Sequence, residues 1–292
     1  MPELAEVELA RRIWEPGLGQ RILAVDCHPR TRVYRDTPAR DIEEALTGWT
    51  LAGSRSHGKR LLFSFAPPSQ PGASPRKRSR HLELHLGMAG RLFLAAPHYE
   101  AVKHDHFVLR TPKLALVYSD YRQFGRVFLH EPSDDPWEKL PLEVLDRRFT
   151  LAYLHRITLR RSGSSLKALL LDQTLFPGVG NWMADEICWR IPCHPGARLR
   201  DLDLARIRTV SRQVCRGAIR HVADKNTTRD ANEGFSPGRY VEQVPPPSWL
   251  FQHRWKAGGD CPRCHSPLNR GTIATRTTAW CPACQPGDGS WA

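Results

Sequence analysis

The stretch CPRCHSPLNRGTIATRTTAWCPAC, residues 261–284, frames the reading of the chain. It holds two Cys-x2-Cys pairs, Cys261/Cys264 and Cys281/Cys284, separated by sixteen residues. Two short pairs on turns can present four thiolates tetrahedrally, and the spacing is that of a structural zinc site. Chance pairs or redox thiols are the competing reading, and the spacing favours one Zn2+ ion. A site closed by four cysteines has no open position, so this zinc holds a hairpin and does no chemistry. The hairpin carries Arg270 and Arg276. His265 is a rival ligand, but four cysteines suffice. Cys27, Cys188, Cys193 and Cys215 read as buried thiols.

Outward from this module, the 292-residue chain is long enough for about two domains, and 40% apolar residues exclude global disorder. No run of about 18 apolar residues occurs, so no membrane span is expected. Glu3, Glu6 and Glu8 stand where a secretory signal needs basic residues, so a cytosolic, reducing location is expected. The balance of 43 basic and 30 acidic residues gives +13, which favours a polyanionic partner. Most of the excess, net +9, lies in residues 147–230. There Leu204, Ile207, Val210, Val214 and Ala218 follow helical spacing. Arg208, Arg212, Arg216 and Arg220 recur every fourth residue and form one stripe on that helix. Four like charges in register repel, so the stripe is expected to face phosphate or acidic groups.

The pattern predicts an amphipathic helix over 3–15, ended by Pro16 and Gly17. Short apolar or alternating runs at 21–27, 60–65, 82–86, 91–95, 106–110, 114–118 and 126–129 predict strands and an antiparallel sandwich. Residues 66–80 read as a flexible basic loop, 131–146 as a linker, and 149–224 as helical. The expected domains are a sandwich at 1–131, a helical domain at 147–224, a mobile loop at 225–250 and the cysteine module at 251–287.

The chain opens Met-Pro-Glu-Leu-Ala-Glu. Removal of the initiator methionine leaves Pro2 with a secondary amine, a nucleophile able to form an iminium with an aldehyde carbon. Glu3 could exchange protons in that chemistry. Proline followed by acidic residues is also ordinary helix-start chemistry, and these residues alone favour that reading.

Taken together, MPELAEVELARR at 1–12, GKRLLF at 58–63, HLGMAG at 85–90, KHDHF at 103–107, DYRQFGR at 120–126, LLLDQTLFPGVGNWMADEI at 169–187 and the cysteine module resemble the formamidopyrimidine-DNA glycosylase and endonuclease VIII family, closest to the formamidopyrimidine branch. The resemblance implies a multidomain α and β fold. Its parts are an N-terminal antiparallel β-sandwich with an N-terminal helix, a helix–two-turns–helix domain and a C-terminal zinc-finger hairpin. It implies a bifunctional glycosylase and AP lyase that removes oxidised purines from damaged double-stranded DNA. A monomer is expected, because no long apolar heptad or other association signal stands out. Pro2 is then the nucleophile at C1′ and Glu3 the general acid/base. Lys59 is the proton donor in β-elimination, Arg276 grips phosphate for δ-elimination, and Glu6 is a second acid near the site. His104, Arg122 and Asn181 contact phosphate. Met88, Arg122 and Phe124 enter the helix as the base is extruded.

On residues alone, Lys59 reads as a strand-end lysine and His104 as a strand histidine. Met88 and Phe124 could be sandwich core, although the glycines around Met88 suggest a loop tip. In PGVGN the glycines permit close backbone approach, and Asn181 begins a helix whose free amides suit phosphate. A plain turn and N-cap is the alternative. Tyr121 and Gln123 stand where the family has proline and arginine, and Ser162 where it often has lysine. The segment 225–248, the family's lesion-recognition loop, matches poorly. The rival functions are the same scaffold with another lesion preference, oxidised pyrimidines or alkylated bases, or a non-catalytic damaged-DNA-binding protein.

Overall fold

The computed structural model describes residues 2–68, 79–130, 135–224, 244–255 and 259–287. Most of the loops expected at 66–80 and 225–250 therefore lie outside the described residues. The described residues divide into two compact units, one holding Pro2 and Glu6–Leu140 and the other holding Glu3–Ala5 with residues 141–224, 244–255 and 259–287.

The expected helix forms as α1 (Leu4–Ile13), which lies in the first unit from Glu6 on. Val7, Ala10 and Trp14 lie three and four residues apart, share one face and are buried. The Trp14 ring packs 4.7 Å from Phe63 and 6.4 Å from Phe107. These two residues belong to different sheets, so α1 closes one side of the core. One sheet runs β1 (Ala24–Cys27), β6 (Asp105–Arg110), β7 (Ala115–Ser119), β5 (Arg91–Ala95). The other runs β2 (Thr50–His57), β3 (Arg60–Ala66), β4 (Arg80–His85), β8 (Arg126–Leu129). All pairings are antiparallel. Inward residues alternate, Leu61, Phe63 and Phe65 on β3 meeting Phe107 and Leu109 from β6 in one shared core.

Two elements here escape the sequence pattern. Helix α2 (Ala39–Leu46) buries only Ile42 and Leu46, too few to show a period. Strand β2 reads TLAGSRSH, with a single fully buried apolar residue, Leu51. The strand expected over 21–27 is also split. Ile22 N–H donates to Trp49 O at 2.7 Å and Leu23 N–H to Arg110 O at 2.7 Å, so the chain changes sheets between them.

Polar side chains dock α1 on β2. The Glu8 carboxylate accepts from Arg11 Nε at 2.9 Å, Arg12 Nε at 2.8 Å and Ser56 Oγ at 2.8 Å. Arg11 also donates to Ser54 Oγ at 2.9 Å. Ser54 and Ser56 sit two apart and so face the same side of the strand.

In the second unit, α3 (Leu151–Thr158) is capped by Thr150, α4 (Leu166–Leu171) by Ser165 and α6 (Leu204–Ile219) by Asp203. α5 (Asn181–Arg190) is buried along nearly its whole length. The buried face of α6 is Ile207, Val210, Val214 and Ala218, as its spacing predicts. Its arginine stripe behaves otherwise. Arg208 Nε donates to Phe149 O at 2.6 Å, and Arg212 donates to Val144 O and, at 2.9 Å, to Asp146 O. Half the stripe thus ties down the backbone of 144–149, while Arg216 and Arg220 are exposed. The cysteine module forms the hairpin β9 (Asn269–Ile273) and β10 (Arg276–Trp280). Its two-residue turn, Ala274 and Thr275, has φ of 52° and 61°. Such a turn matches strand twist, though both residues carry a side chain in left-handed space.

Burial alone would raise the Glu8 carboxyl, but its Arg11, Arg12 and Ser56 donors override this and hold it at about 2, against an ordinary 4.5. A depressed carboxylate stabilises the fold above its unfolded value and loses that contribution as pH falls through the folded one. Chemical denaturation between about pH 5 and pH 2 should show the wild type losing stability more steeply than Glu8→Gln, by on the order of 3 kcal/mol. Equal slopes would refute this.

Candidate active site

The turn between α4 and α5 is built around the start of the chain. Gly178, at φ +87°, offers its carbonyl to Leu4 N–H at 3.0 Å. Glu3 is 2% exposed, and its carboxylate accepts from Gly180 N–H at 2.9 Å, Trp182 N–H at 3.0 Å and Met183 N–H at 3.2 Å. Gly180 is the N-cap residue and offers no side-chain cap of its own. Glu3 takes that role from 177 residues away. Its charge faces the positive end of the helix. Gly180 leaves no room for anything larger, since a Cβ there would lie 2.3 Å from Glu3 Cδ.

This corrects one expectation. The first amides of α5 do not await a phosphate, because the Glu3 carboxylate occupies those of Gly180, Trp182 and Met183. The close approach that Gly180 permits is to that same carboxylate. Asn181, half-buried, turns its Nδ2 to Thr277 O at 2.9 Å, while its Oδ1 is buried with no hydrogen bond. Arg276, the residue before Thr277, is exposed at the mouth of the hairpin turn. The second unit therefore gathers Glu3, Asn181 and Arg276, and Pro2 is one peptide bond from Glu3.

The four cysteine sulfurs lie within 4.8 Å of one another. Separations of 3.9 Å (Cys261–Cys284), 3.4 Å (Cys264–Cys281) and 3.5 Å (Cys264–Cys284) approach the ~3.8 Å edge of a tetrahedron with Zn–S bonds of about 2.3 Å. The donor set and its spacing fit a zinc ion. Trp189 Nε1–H donates to Cys261 Sγ at 3.3 Å. Gln285, fully buried, accepts from Cys281 N–H and donates to Cys193 O, both at 2.9 Å. No motif flags Gln285, yet it lies one residue beyond the last cysteine.

In the first unit, one row of the sheet organises the remaining candidates. His57, Arg60, His85 and Arg126 pair across β2, β3, β4 and β8. Lys59 sits in the turn between His57 and Arg60, the 86–90 loop follows His85, and Phe124 precedes Arg126, so all three lie at one end of the sheet. Burial, then the charges of Lys59 and Arg60, push the His85 imidazole down, and its Nδ1 accepts from Gly87 N–H at 3.0 Å. Gly87, at φ +61°, presses on the 120–125 loop, where a Cβ would come 2.5 Å from the Phe124 backbone. Met88 and Phe124 are 45% and 51% exposed, so neither belongs to the core. The Arg122 guanidinium lies 4.8 Å from the Phe124 ring centre.

This second loop is braced from inside. Asp120, fully buried, accepts from Arg122 N–H at 3.1 Å and Gly125 N–H at 2.8 Å. His106 bonds through Nε2 to Asp120 O at 2.8 Å, and burial pushes its imidazole down, so the ring is a neutral donor. His104, half-buried, receives Asp120 N–H on its carbonyl at 3.0 Å. Gln123 adopts φ +53° and accepts Arg32 N–H at 3.1 Å, which ties its side chain to the 31–32 loop. Tyr121 is 66% exposed.

Two family models match the chain. The formamidopyrimidine-DNA glycosylase N-terminal domain covers residues 1–127, and the formamidopyrimidine-DNA glycosylase H2TH domain covers residues 140–231. The chain belongs to the formamidopyrimidine-DNA glycosylase family. It is therefore a DNA glycosylase and AP lyase of base-excision repair. The formamidopyrimidine-DNA glycosylase of Methylococcus capsulatus is 33% identical over 295 residues, covering 98% of this chain and 100% of the relative. That of Alkalilimnicola ehrlichii is 33% identical over 306 residues, with the same coverage. Lactococcus lactis Fpg (MutM), solved bound non-covalently to AP-site DNA, gives a TM-score of 0.76 at 28% identity, covering 98% of this chain and 100% of that one. A MutM solved with carbocyclic 8-oxo-G DNA gives 0.79 at 27% identity, again over 98% and 100%.

Within this glycosylase, Gly180→Ala should displace the Glu3 carboxylate. A shift of about 1 Å at a reacting group can cost about a hundredfold in rate. Single-turnover base excision by Gly180→Ala should fall by at least that factor, while zinc content stays unchanged. Wild-type rates would count against the cap.

Proposed function

We propose that the chain excises oxidised purines, 8-oxoguanine and formamidopyrimidines, through an N-terminal proline nucleophile and then nicks the strand. The observation that carries this reading is the Glu3 carboxylate, fixed by three amides one peptide bond from Pro2. With Met1 removed, the Pro2 nitrogen attacks C1′, the glycosidic bond breaks, and the base leaves with the bonding electrons and gains a proton. Glu3 exchanges protons during base release and sugar opening, which yields an iminium between Pro2 and C1′. Loss of a C2′ proton expels the 3′ phosphate in β-elimination, with Lys59 supplying a proton. Loss of the C4′ proton then expels the 5′ phosphate in δ-elimination, with Arg276 holding that phosphate. Glu6 is assigned as a second acid.

Extruding a base leaves a gap whose unstacking costs about a few kcal/mol per step. Met88, Arg122 and Phe124 are assigned to fill it. The exposure of Met88 and Phe124 and the bracing by Asp120 and His106 support that assignment. His104 and Asn181, with Arg122, are assigned to phosphate. Cys261, Cys264, Cys281 and Cys284 would hold one Zn2+, which keeps the hairpin and Arg276 in place. The partner is damaged double-stranded DNA, in keeping with the +13 charge. No helix among the described residues is long and apolar enough to cross a membrane, and a cytoplasmic, nucleoid-associated location suits the substrate. Oxidised pyrimidines are the second reading, since Lactococcus lactis Fpg, at 28% identity and TM-score 0.78, was solved with oxidised-pyrimidine DNA.

Borohydride trapping tests the mechanism and the lesion together. Methionine-processed protein is offered duplexes carrying 8-oxoguanine opposite cytosine, an oxidised pyrimidine, or an abasic site. A covalent adduct with 8-oxoguanine, absent in Pro2→Gly, is expected. An adduct with the pyrimidine or abasic duplex alone would move the lesion class, and none at all would refute the lyase chemistry. Zinc removal by a chelator should weaken DNA binding and leave the sandwich folded by circular dichroism. Full activity in demonstrably zinc-free protein would contradict the role given to the hairpin.

A further inference from the structure

The roles proposed so far leave unused a charged cluster buried in the second unit. Lys167 and Asp185 are fully buried, and Arg254 is 3% exposed. Lys167 Nζ donates to Asp185 Oδ1 at 2.6 Å, and Arg254 Nε donates to Asp185 Oδ2 at 3.0 Å. One carboxylate thus sits between two cations. Taking such charges from water is costly and is offset only when every group is well bonded. Their remaining bonds go to one strand. Lys167 donates to Thr278 Oγ1 at 2.6 Å and to Thr277 O at 3.2 Å. Asp185 Oδ2 accepts Ala279 N–H at 3.2 Å, and Arg254 reaches Thr277 O at 3.4 Å.

The bonded strand is β10, whose sole strand partner among the described residues is β9. A two-stranded hairpin is marginally stable by itself. Thr277 and Ala279 lie two residues apart, so their backbone groups point to the same edge. The cluster therefore satisfies that edge as a third strand would. Arg276 immediately precedes Thr277, next to a turn of two left-handed residues.

We propose that Asp185, clamped between Lys167 and Arg254, is a positioning group for Arg276, with Arg254 as its second anchor. It acts through the β10 backbone and touches no substrate. The cluster fixes where Arg276 stands, and so governs how often β-elimination proceeds to δ-elimination. This rests on the role proposed above for Arg276.

The test uses full-length, zinc-loaded protein and an abasic-site duplex, and reads the ratio of δ to β product in single turnover beside trapped adduct and zinc content. Arg254→Met and Asp185→Asn should each slow δ-elimination about tenfold, with a smaller loss of adduct and with zinc retained. Arg254→Lys should restore part of the ratio. Arg276→Ala is the reference. An unchanged ratio in Arg276→Ala would refute the role of Arg276 itself. A changed ratio there, with unchanged ratios in Arg254→Met and Asp185→Asn, would overturn the positioning role alone. Loss of zinc with equal losses of adduct and δ product, unrelieved by Arg254→Lys, would mark a merely structural cluster and overturn it too.

Discussion

The bond on which the site depends is the Glu3 carboxylate capping α5. A helix start leaves amides unsatisfied, and a buried one must find an acceptor. α5 is buried along nearly its whole length, and Gly180 supplies no side chain to cap it. The acceptor comes from the far end of the sequence. One interaction thus satisfies a helix end, immobilises a carboxylate and fixes the residue beside Pro2. The geometry is narrow, because a Cβ at position 180 would lie 2.3 Å from Glu3 Cδ.

The sandwich uses the same economy at its loops. The sheet row through His57, Arg60, His85 and Arg126 gathers several loops at one end, and interior groups brace them. Asp120 and neutral His106 face inward so that Arg122, Phe124 and Tyr121 can face out. Hydrocarbon can stand exposed there because buried hydrogen bonds set the backbone beneath it.

Much of this was legible in the residues. Strands β3, β6 and β7 carry runs of apolar residues between turn signals, α6 shows its buried face by period, and the cysteine spacing announces its own geometry. What stayed hidden was long-range or polar. β2 is a strand whose serines bond Glu8 and Arg11, so it shows no apolar alternation. The arginine stripe on α6 reads in the sequence as one face for phosphate or acidic groups, because spacing reports charge in register and not the carbonyls of 144–149 that Arg208 and Arg212 meet. The motif around Gly180 suggested an approach to DNA, and only the fold shows that Glu3 fills that space. Pairing across 177 residues leaves no local trace.

The Glu3 cap also sets a ruler. Consecutive Cα atoms are about 3.8 Å apart across a trans peptide, so one residue inserted between Pro2 and Glu3 would carry the proline nitrogen farther than a hydrogen bond reaches. Leu4 N–H is held by Gly178 O on the other side, so the slack cannot be taken up downstream. The distance from anchor to amine is a single peptide unit. Substitution at neighbouring positions can be absorbed by repacking, whereas a change of register there cannot.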